Sequence, residues 1–388
     1  MKIVDLKTFI VGNPWKNWVF CKIYTDEGVE GLGEATGGLA TLPIEAALRE
    51  IKPLVMGENP LDLPALRDKI RKALYLPESS AQSHALSGID AACWDIIGKK
   101  YNIPLYRLLG GKARPKLRAY ANGWYRGERT PEFFGQRASE VVKLGYTALK
   151  FDPFGTNYRR IDRTEEDLAV EIVAAVREAV GDHVDLLIEC HDRFSVTTAI
   201  RLAERLKKYN PMWMETPVLS TDIPATNAVA RKIDIPVATG ERFGTLRQFT
   251  ELLQDKSVDI IQPEFLGLGG ITPLVEAFHI AEGFGVDVAP HNAQSPFCSA
   301  VNVHVGISRS NFLIQECFDD FQERGLEKVL TGVPRVVDGY IEPSDTPGIG
   351  VDLNEAEAEK YPYGPQNFLR LFEQGWEKRG GASERDER

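Results

Sequence analysis

Hydrophobic and polar positions follow a mixed strand and helix pattern over residues 1–115. The segments "KIVDLKTFIVG" and "WVFCKIYTDEGVEGLGEA" predict strands, and the second predicts a strand pair that turns at Asp26-Glu27-Gly28. The segment "ALSGIDAACWDIIGKKY" spaces its apolar residues as a helix does. Because Gly110, Gly111 and Pro115 then interrupt the pattern, we expect an α+β unit over residues 1–115.

From residue 116 onward, short apolar runs alternate with helical stretches. The runs that predict strands are "LRAYANG", "YTALKFD", "DLLIECH", "MWMETPV", "PVATGER", "DIIQPEF", "DVAPHN" and "FLIQECF". Eight such runs, each followed by a helical stretch, are typical of an α/β fold of the (β/α)8 TIM barrel type, which we expect over residues 116–330. Residues 331–376 read as strands and turns that return to the first unit, and the charged residues 377–388 as a flexible tail.

Composition and charge narrow the class of protein. The chain has 388 residues, 43% of them hydrophobic and 26% charged, which is typical of a globular protein. Its formal net charge of −10 argues against general binding to nucleic acid or to an anionic membrane, because both need clustered Lys and Arg. We therefore expect neither a nucleic-acid nor a membrane partner.

The cysteines and the first residues bear on the compartment. Five cysteines without a CxxC pair predict neither a disulfide framework nor a zinc ribbon, which fits a reducing cytoplasm. Asp5 and Lys7 lie where a signal peptide would be apolar, and no run reaches the roughly 18 apolar residues of a membrane span. We therefore expect a cytoplasmic protein.

Acidic residues recur at the ends of three successive predicted strands. Glu189, Glu215 and Glu241 follow one another at intervals of 26 residues (215 − 189 and 241 − 215), about one βα unit. The carboxyl ends of barrel strands form the usual active-site face, so these carboxylates should converge and repel one another unless a cation lies between them. Oxygen ligands alone favour Mg²⁺. The alternative is that each Glu is a surface residue paired with a nearby Lys or Arg.

The next three predicted strands also end in groups that can ionise. Glu264, His291 and Glu316 end the sixth, seventh and eighth runs. Adjacent strands would place Glu264 beside His291, so that the acid orients the imidazole and raises its basicity. His279 and His304 fall inside helical stretches and are expected to pack or to lie on the surface.

The second and third strands add further candidates. If the third strand continues through His191, that side chain points to the same side as Glu189, two residues earlier. Lys150 should face inward at the end of the second strand, and Cys190 should pack on the opposite side. Arg193 either binds a substrate oxygen or pairs with Asp192, which the pattern leaves open.

Taken together, these residues resemble the enolase superfamily of the mandelate racemase type over essentially the whole chain. The matching marks are "SGIDAACWDIIGKKYNIPLYRLLGG", the three acids on successive strands, "QPE" followed by Gly269-Gly270, and "PHN". Within that superfamily, "YANGWY", "LKFDPFG" and "LIECHDRF" look most similar to the acid-sugar dehydratases that act on gluconate and galactonate. The resemblance implies an α+β capping domain built from residues 1–115 and 331–376.

The resemblance also implies a mechanism. Glu189, Glu215 and Glu241 would hold one Mg²⁺, His291 paired with Glu264 would be a general base or acid, and His191 would protonate the departing hydroxyl. The product would be a 2-keto-3-deoxy acid, which makes the enzyme a hydro-lyase. The loop of residues 14–20 would cover the site. The candidate substrate-binding residues are Glu316, Arg193, Asn122, Trp18 and Tyr125.

Two departures from the family pattern leave alternatives open. The family more often has Asp where this chain has Glu264, and Lys150 is followed by Phe151-Asp152 rather than by a second Lys two positions on. The second departure favours dehydration over a racemase or epimerase that uses His291 and Lys150 on opposite faces, although either residue could take the proton. A metal hydrolase is a further alternative, but this sequence lacks the HxH pair that such enzymes use early in the barrel. A barrel without catalytic activity is less expected still. Barrels of this size are often homo-oligomers.

Overall fold

The computed structural model describes residues 1–75, 79–321 and 326–378, and it begins with an antiparallel sheet. Strands β1 (Ile3–Val11), β2 (Trp18–Thr25) and β3 (Glu30–Glu34) pair in that order. The predicted turn between β2 and β3 is confirmed, with Gly28 at φ +75°, a conformation that glycine adopts without steric cost. Helices α1 (Thr41–Val55), α2 (Leu63–Leu74), α3 (Ser80–Tyr101) and α4 (Leu105–Leu108) follow.

Helix α3 packs directly on the sheet, as its mostly buried surface requires. A Cβ added to Gly33 of β3 would lie 1.9 Å from the carbonyl oxygen of Gly88 in α3, so only glycine permits this approach. At the N-terminus of α3, Ser79 and Gln82 form a reciprocal capping box. The helix predicted around "ALSGIDAACWDIIGKKY" is therefore confirmed and extends further towards the N-terminus.

Within the described residues, eight parallel strands form the barrel predicted from the alternating pattern. They are shorter than the apolar runs that predicted them: β4 (Leu117–Ala121), β5 (Ala148–Phe151), β6 (Asp185–Glu189), β7 (Trp213–Glu215), β8 (Val237–Thr239), β9 (Ile260–Ile261), β10 (Asp287–Val288) and β11 (Gln315–Cys317). β11 pairs with β4, and Val288 of β10 bridges to Phe312 just before β11. These contacts close the ring.

The helices of the barrel surround this ring, and most begin at a capping side chain. They are α5 (Pro131–Lys143), α6 (Arg163–Val180), α7 (Val196–Leu206), α8 (Ile223–Ala230), α9 (Leu246–Gln254), α10 (Phe265–Leu268), α11 (Ile271–Phe284) and α12 (Pro296–Ile307). Thr130, Asp162, Ser195, Asp222, Thr245 and Ser295 each accept a hydrogen bond from a backbone N–H in the first turn. Each cap fixes the residue at which the loop after a barrel strand ends and the next helix begins, on the active-site face. His279 and His304 lie in α11 and α12, as predicted.

The interior of the barrel is filled by side chains rather than by solvent. One buried layer takes a residue from each strand or its immediate flank: Tyr120, Ala148, Leu187, Trp213, Ala238, Ile260, Ala289 and Ile314. In this layer the large rings of Tyr120 and Trp213 lie among alanines and fill the barrel interior, as expected for a packed barrel core. This layer lies beneath the strand ends that carry the charged groups.

The chain then continues in short elements that contact both earlier parts. These are β12 (Leu330–Thr331), β13 (Tyr340–Ile341), β14 (Asp352–Leu353) and α13 (Glu355–Ala358). β13 pairs antiparallel with β4, while the N–H of Gly12 donates to the carbonyl of Tyr361. Lys22 of β2 contacts Glu355 at 3.1 Å. Of the predicted tail, residues 379–388 lie outside the described residues. No helix in the described ranges is both long and apolar enough to cross a membrane.

Candidate active site

Three carboxylates meet at the carboxyl ends of neighbouring barrel strands. Glu189 and Glu215 end β6 and β7 and are paired in register, whereas Glu241 follows β8 by two residues, after Gly240. One ligand oxygen from each of the three lies within 4.8 Å of the others. The spacing of 26 residues therefore did bring these side chains together.

A divalent cation fits this cluster on its donor chemistry. All the ligand atoms are carboxylate oxygens, and Glu189 and Glu215 are buried. Burial raises the pKa of Glu215 and of Glu241, and repulsion from neighbouring carboxylates adds to it. A cation among them would relieve this cost. Oxygens around a six-coordinate Mg²⁺ lie roughly 2.9–4.2 Å apart, so small side-chain rotations would suffice.

Lys150 lies beside the cluster as its buried counter-charge. Its Nζ is 2.6 Å from Glu215, 2.7 Å from Glu316 and 3.3 Å from Glu189. Burial by itself would lower the pKa of Lys150, but Glu215 and Glu316 outweigh it and raise that pKa well above its usual value. The inward direction predicted for Lys150 is confirmed, and its ammonium group forms ion pairs with all three of these carboxylates.

His191 lies on one side of the cluster, held by a carboxylate. Its Nδ1 is 2.6 Å from Oδ2 of Asp152, and its backbone N–H donates to Glu189 at 2.7 Å. Burial would lower the pKa of His191, but Glu189 and Asp152 outweigh it and raise that pKa. The prediction that β6 continues through His191 is wrong. The strand ends at Glu189, and His191 has φ +49°, so a left-handed turn directs the ring.

Arg193 is the group that holds Asp152 in place. Its guanidinium contacts Asp152 and donates to the carbonyls of Cys190 at 2.9 Å and Gly155 at 2.8 Å, and the side chain is 1% exposed. Of the two alternatives left open for Arg193, pairing with Asp192 is not the one observed, because Asp192 contacts Arg242 at 2.6 Å. These contacts favour a positioning role, and substrate binding by Arg193 stays a prediction. Cys190 is buried, as expected.

His291 lies on the other side and also pairs with a carboxylate. Its Nδ1 is 3.2 Å from Oε1 of Glu264, and its Nε2 is 3.5 Å from Glu241. Burial would lower the pKa of His291, but Glu241, Glu316 and Glu264 outweigh it and raise that pKa to about 10. Burial likewise would raise the pKa of Glu264, and the charge and hydrogen bond of His291 lower it to about 2.

Glu316 is a buried acid whose oxygens are all engaged by protein donors. Asn122 donates to its Oε1 at 2.8 Å, and the backbone N–H of Asn292 donates to Oε2 at 2.7 Å. With Lys150 also on Oε1, the carboxylate is held in one orientation beside the cluster. Asn122 therefore lies at the site through Glu316, and direct contact of either residue with a substrate stays a prediction.

The loop of residues 14–20 approaches the site from the first sheet. Lys16 donates to Oε1 of Gln294 at 3.0 Å, and the ring of Trp15 packs against Phe318 at 5.0 Å. Trp18, in contrast, begins β2 and is 1% exposed, with its ring against Phe20. Tyr125 is 2% exposed and packs against Trp124 and Trp376. Burial favours packing for Trp18 and Tyr125, and their substrate contacts stay predictions.

A cavity of about 950 Å³ opens beside the acidic cluster. Glu241 and Glu264 line it from the barrel, Arg71 lines it from α2, and Ser80 and His84 line it from α3. It offers room for a small molecule next to the carboxylates and His291.

Sequence reasoning missed two side chains: Asp152, which contacts His191, and Gln294, which contacts the Glu264 partner of His291. Asp152 was noted only as following Lys150, although its place directly after β5 was a usable signal. Gln294, which donates to Glu264 at 2.7 Å, gave no signal because polar residues in the loop after "PHN" look alike in sequence.

The comparisons with known proteins agree with this geometry. Residues 10–110 match the family described as mandelate racemase / muconate lactonizing enzyme, N-terminal domain, and residues 134–357 match the enolase C-terminal domain-like family. The chain therefore belongs to the mandelate racemase / muconate lactonizing enzyme family of the enolase superfamily, whose barrel and cap it shares.

Curated relatives narrow the class further. The chain is 36% identical over 368 residues to a D-gluconate dehydratase of Thermoproteus tenax, covering 94% of this chain and 74% of the relative. It is also 36% identical over 366 residues to a D-gluconate/D-galactonate dehydratase of Picrophilus torridus, covering 94% and 93%. A solved mandelate racemase/muconate lactonizing enzyme-like protein from Roseovarius sp. TM1035 superposes with a TM-score of 0.88 at 32% identity, covering 96% and 98%. The protein is an enzyme, and it is a dehydratase.

Proposed function

We propose that this dehydratase acts on an acid sugar, an aldonate such as gluconate or galactonate, with one Mg²⁺ in each active site. It would remove the proton next to the carboxylate, eliminate the 3-hydroxyl and release a 2-keto-3-deoxy acid. The names of the relatives support the substrate class. The cluster of three carboxylates supports the cation.

One observation carries the proposal: two oriented imidazoles flank the cluster from opposite sides of the ring. His191 follows β6 and His291 follows β10, which are the third and seventh of the eight barrel strands and so lie half a turn apart. Each uses Nδ1 to contact a carboxylate, Asp152 or Glu264. The other nitrogen, Nε2, is then the atom left for proton transfer, and in His291 it also lies 3.5 Å from Glu241, one of the proposed cation ligands. Elimination needs a base and an acid, and this arrangement offers one of each.

The chemistry explains why these groups are needed. Removing a proton next to a carboxylate adds negative charge beside an existing one, and a bound divalent cation would stabilise that charge through its oxygen ligands. Glu189, Glu215 and Glu241 would hold the cation. Because a cation held by Glu241 would offset part of the charge that raises the pKa of His291, the neutral imidazole would become available to take the proton through Nε2. General bases of this kind contribute about 10²–10⁴-fold to rate. His191 would give a proton to the departing hydroxyl.

Lys150 bears on the choice between dehydration and racemisation. A racemase needs a second base facing the first, whereas the Lys150 ammonium contacts Glu189, Glu215 and Glu316. A lysine held by three carboxylates keeps its proton and serves as a counter-charge. This supports elimination rather than inversion. The cytoplasmic location and a homo-oligomeric state remain predictions.

The experiment that tests the proposal is a substrate screen. The purified enzyme is incubated with Mg²⁺ and a panel of hexonates, pentonates and aldarates, and 2-keto-3-deoxy product is measured. We expect product from at least one aldonate, with gluconate and galactonate first. A product of unchanged mass with inverted C2 would instead establish an epimerase, and no turnover across the panel would overturn the substrate class.

A further inference from the structure

The partner of His291 is itself held by a chain of side chains that starts outside the barrel. Lys16, on the loop of residues 14–20, donates from Nζ to Oε1 of Gln294 at 3.0 Å and to the carbonyl of Ala293 at 3.2 Å. Gln294 in turn donates from Nε2 to Oε1 of Glu264 at 2.7 Å. The same Glu264 oxygen is 3.2 Å from Nδ1 of His291.

The direction of the Gln294 amide is set by its neighbours. A glutamine side chain has one accepting end and one donating end, and an ammonium group can only donate. Lys16 therefore fixes the carbonyl end of Gln294 towards itself, which turns the amide NH₂ towards Glu264. A glutamate has three rotatable side-chain bonds, so a second donor on Oε1 restricts where that carboxylate can point.

The loop that carries Lys16 is anchored on both sides of that residue. Trp15 packs its ring against Phe318, two residues beyond Glu316. Asn17 donates from Nδ2 to the carbonyl of Gly364 at 2.8 Å and accepts the backbone N–H of Gly364 at 3.1 Å. The Lys16 ammonium is thus brought to Gln294 by a loop whose own position is fixed.

We propose that Lys16 and Gln294 are positioning residues that let the loop of residues 14–20 set the Glu264–His291 pair in its working geometry. Neither residue needs to touch the reacting atoms. The pair is complete only when the loop is docked, so proton removal by His291 is coupled to closure of the site. The inference rests on the proposed function for the identity of the proton that His291 removes.

The test is a double-mutant cycle on proton removal. Lys16→Met and Gln294→Leu keep an apolar side chain of similar bulk and remove the hydrogen bonds. Lys7→Met on β1 is the matched control for the loss of a lysine outside the site. Exchange of the aldonate α-proton with solvent deuterium is followed by mass. We expect each variant to lose about 10- to 100-fold in kcat, as for other residues that orient a ligand. The double variant should lose no more than the stronger single variant, because both act through one contact.

A second readout needs no substrate. The protein has six histidines, so ¹⁵N-histidine labelling gives few signals, and the His291 signal is assigned by its loss in His291→Asn. At one fixed pH, Lys16→Met and Gln294→Leu should shift the His291 Nδ1 resonance, while Lys7→Met should not. Lys16→Arg, which keeps a donor, should restore part of the shift.

The inference and the proposed function fail in different ways. If the wild-type enzyme turns over no aldonate, the proposed function fails and the His291 resonance alone decides the inference. The inference is overturned if Lys16→Met leaves that resonance unchanged or raises KM without lowering kcat. It is also overturned if the losses in kcat of Lys16→Met and Gln294→Leu multiply in the double variant. A rise in KM alone would mean that Lys16 contacts the substrate directly, and multiplied losses would mean that Lys16 and Gln294 act independently.

Discussion

The two imidazoles that flank the carboxylate cluster are supported by different parts of the molecule. Asp152, the partner of His191, is fully buried and contacts Arg193 and the N–H of Phe154, which are barrel residues. Glu264, the partner of His291, is held through Gln294 by Lys16, which precedes the barrel by about a hundred residues in the chain. The carboxylate on the His191 side is therefore held by barrel residues, with Trp376 of the C-terminal segment packed against the His191 ring. The carboxylate on the His291 side is held in part from the first sheet.

This difference suggests that the two histidines depend on the covering loop to different degrees. The His191 side is fixed before any substrate arrives, whereas the His291 side is complete only with the covering loop in place. A base that removes a weakly acidic proton benefits most from a closed, water-excluding site. The loop thus contacts the side where that exclusion matters most.

The largest expected effect separates the two sides by chemistry. His291→Asn should stop both α-proton exchange with solvent deuterium and dehydration, with a loss of at least about 10²-fold, because it removes the base. Mass spectrometry of substrate and product in D₂O measures both steps. Exchange at the normal rate in His291→Asn would mean that another residue is the base, and Lys150 would be examined first.

The opposite side should fail at a later step. His191→Asn should abolish dehydration and leave exchange of the α-proton measurable, since the acid acts only on the departing hydroxyl. The same D₂O experiment reports it, with His183→Asn, outside the cluster, as a control for loss of a histidine. Loss of both steps in His191→Asn alone would show that the two sides do not divide the proton transfers.

A stability experiment compares the supports themselves. Arg193→Met should destabilise the protein by about 3 kcal/mol, because it removes the buried guanidinium that pairs with the Asp152 carboxylate and donates to two backbone carbonyls. Lys16→Met, at a partly exposed site, should cost less than about 1 kcal/mol. Urea unfolding midpoints measure both. Equal losses would contradict the view that only the His191 side is built into the barrel core.

The last expected effect concerns a second contact between the first sheet and the His291 loop. Glu34 accepts from the hydroxyl of Ser295 at 2.5 Å, and Ser295 directly follows Gln294. Burial raises the pKa of the Glu34 carboxyl from 4.5 to about 7, although its hydrogen bonds with Ser295 and Thr36 oppose this. The folded state then binds more protons than the unfolded state between pH 4.5 and 7, so this contribution to stability is present below pH 4.5 and lost as pH rises through 7.

Glu34→Gln isolates that contribution. One pKa unit corresponds to about 1.4 kcal/mol, so the wild-type protein should lose up to about 3 kcal/mol from this group across that window, and the variant should not. Urea unfolding at pH 5 and pH 8 gives the difference in slope. Parallel pH profiles for the two proteins would show that Glu34 is ionised alike in both states.

The sequence predicted the parts of this site that follow from strand geometry. The interval of 26 residues placed Glu189, Glu215 and Glu241 at one rim, because each βα unit returns the chain to that rim. The predicted neighbours Glu264 and His291 are also in contact. Both inferences needed only strand order and the length of a repeat.

Beyond the strand ends, sequence patterns lost their power. The rule of alternating sides failed for His191, because β6 ends at Glu189 and the backbone turns through positive φ. The acid that pairs with Arg193 could not be chosen for the same reason, since loop conformation decides that it reaches Asp152. Trp18 and Tyr125 lie in the packed interior, which aromatic residues near a predicted loop do not reveal.

The proposed elimination depends most of all on a divalent cation held by Glu189, Glu215 and Glu241. Calorimetric titration of the chelator-treated protein with Mg²⁺ tests this cation site most directly. We predict one site per chain for the wild-type protein, loss of most of that binding in Glu241→Gln, and none of that loss in Glu276→Gln, which lines the same cavity. Unchanged Mg²⁺ binding in Glu241→Gln, or no binding by the wild-type protein, would contradict it.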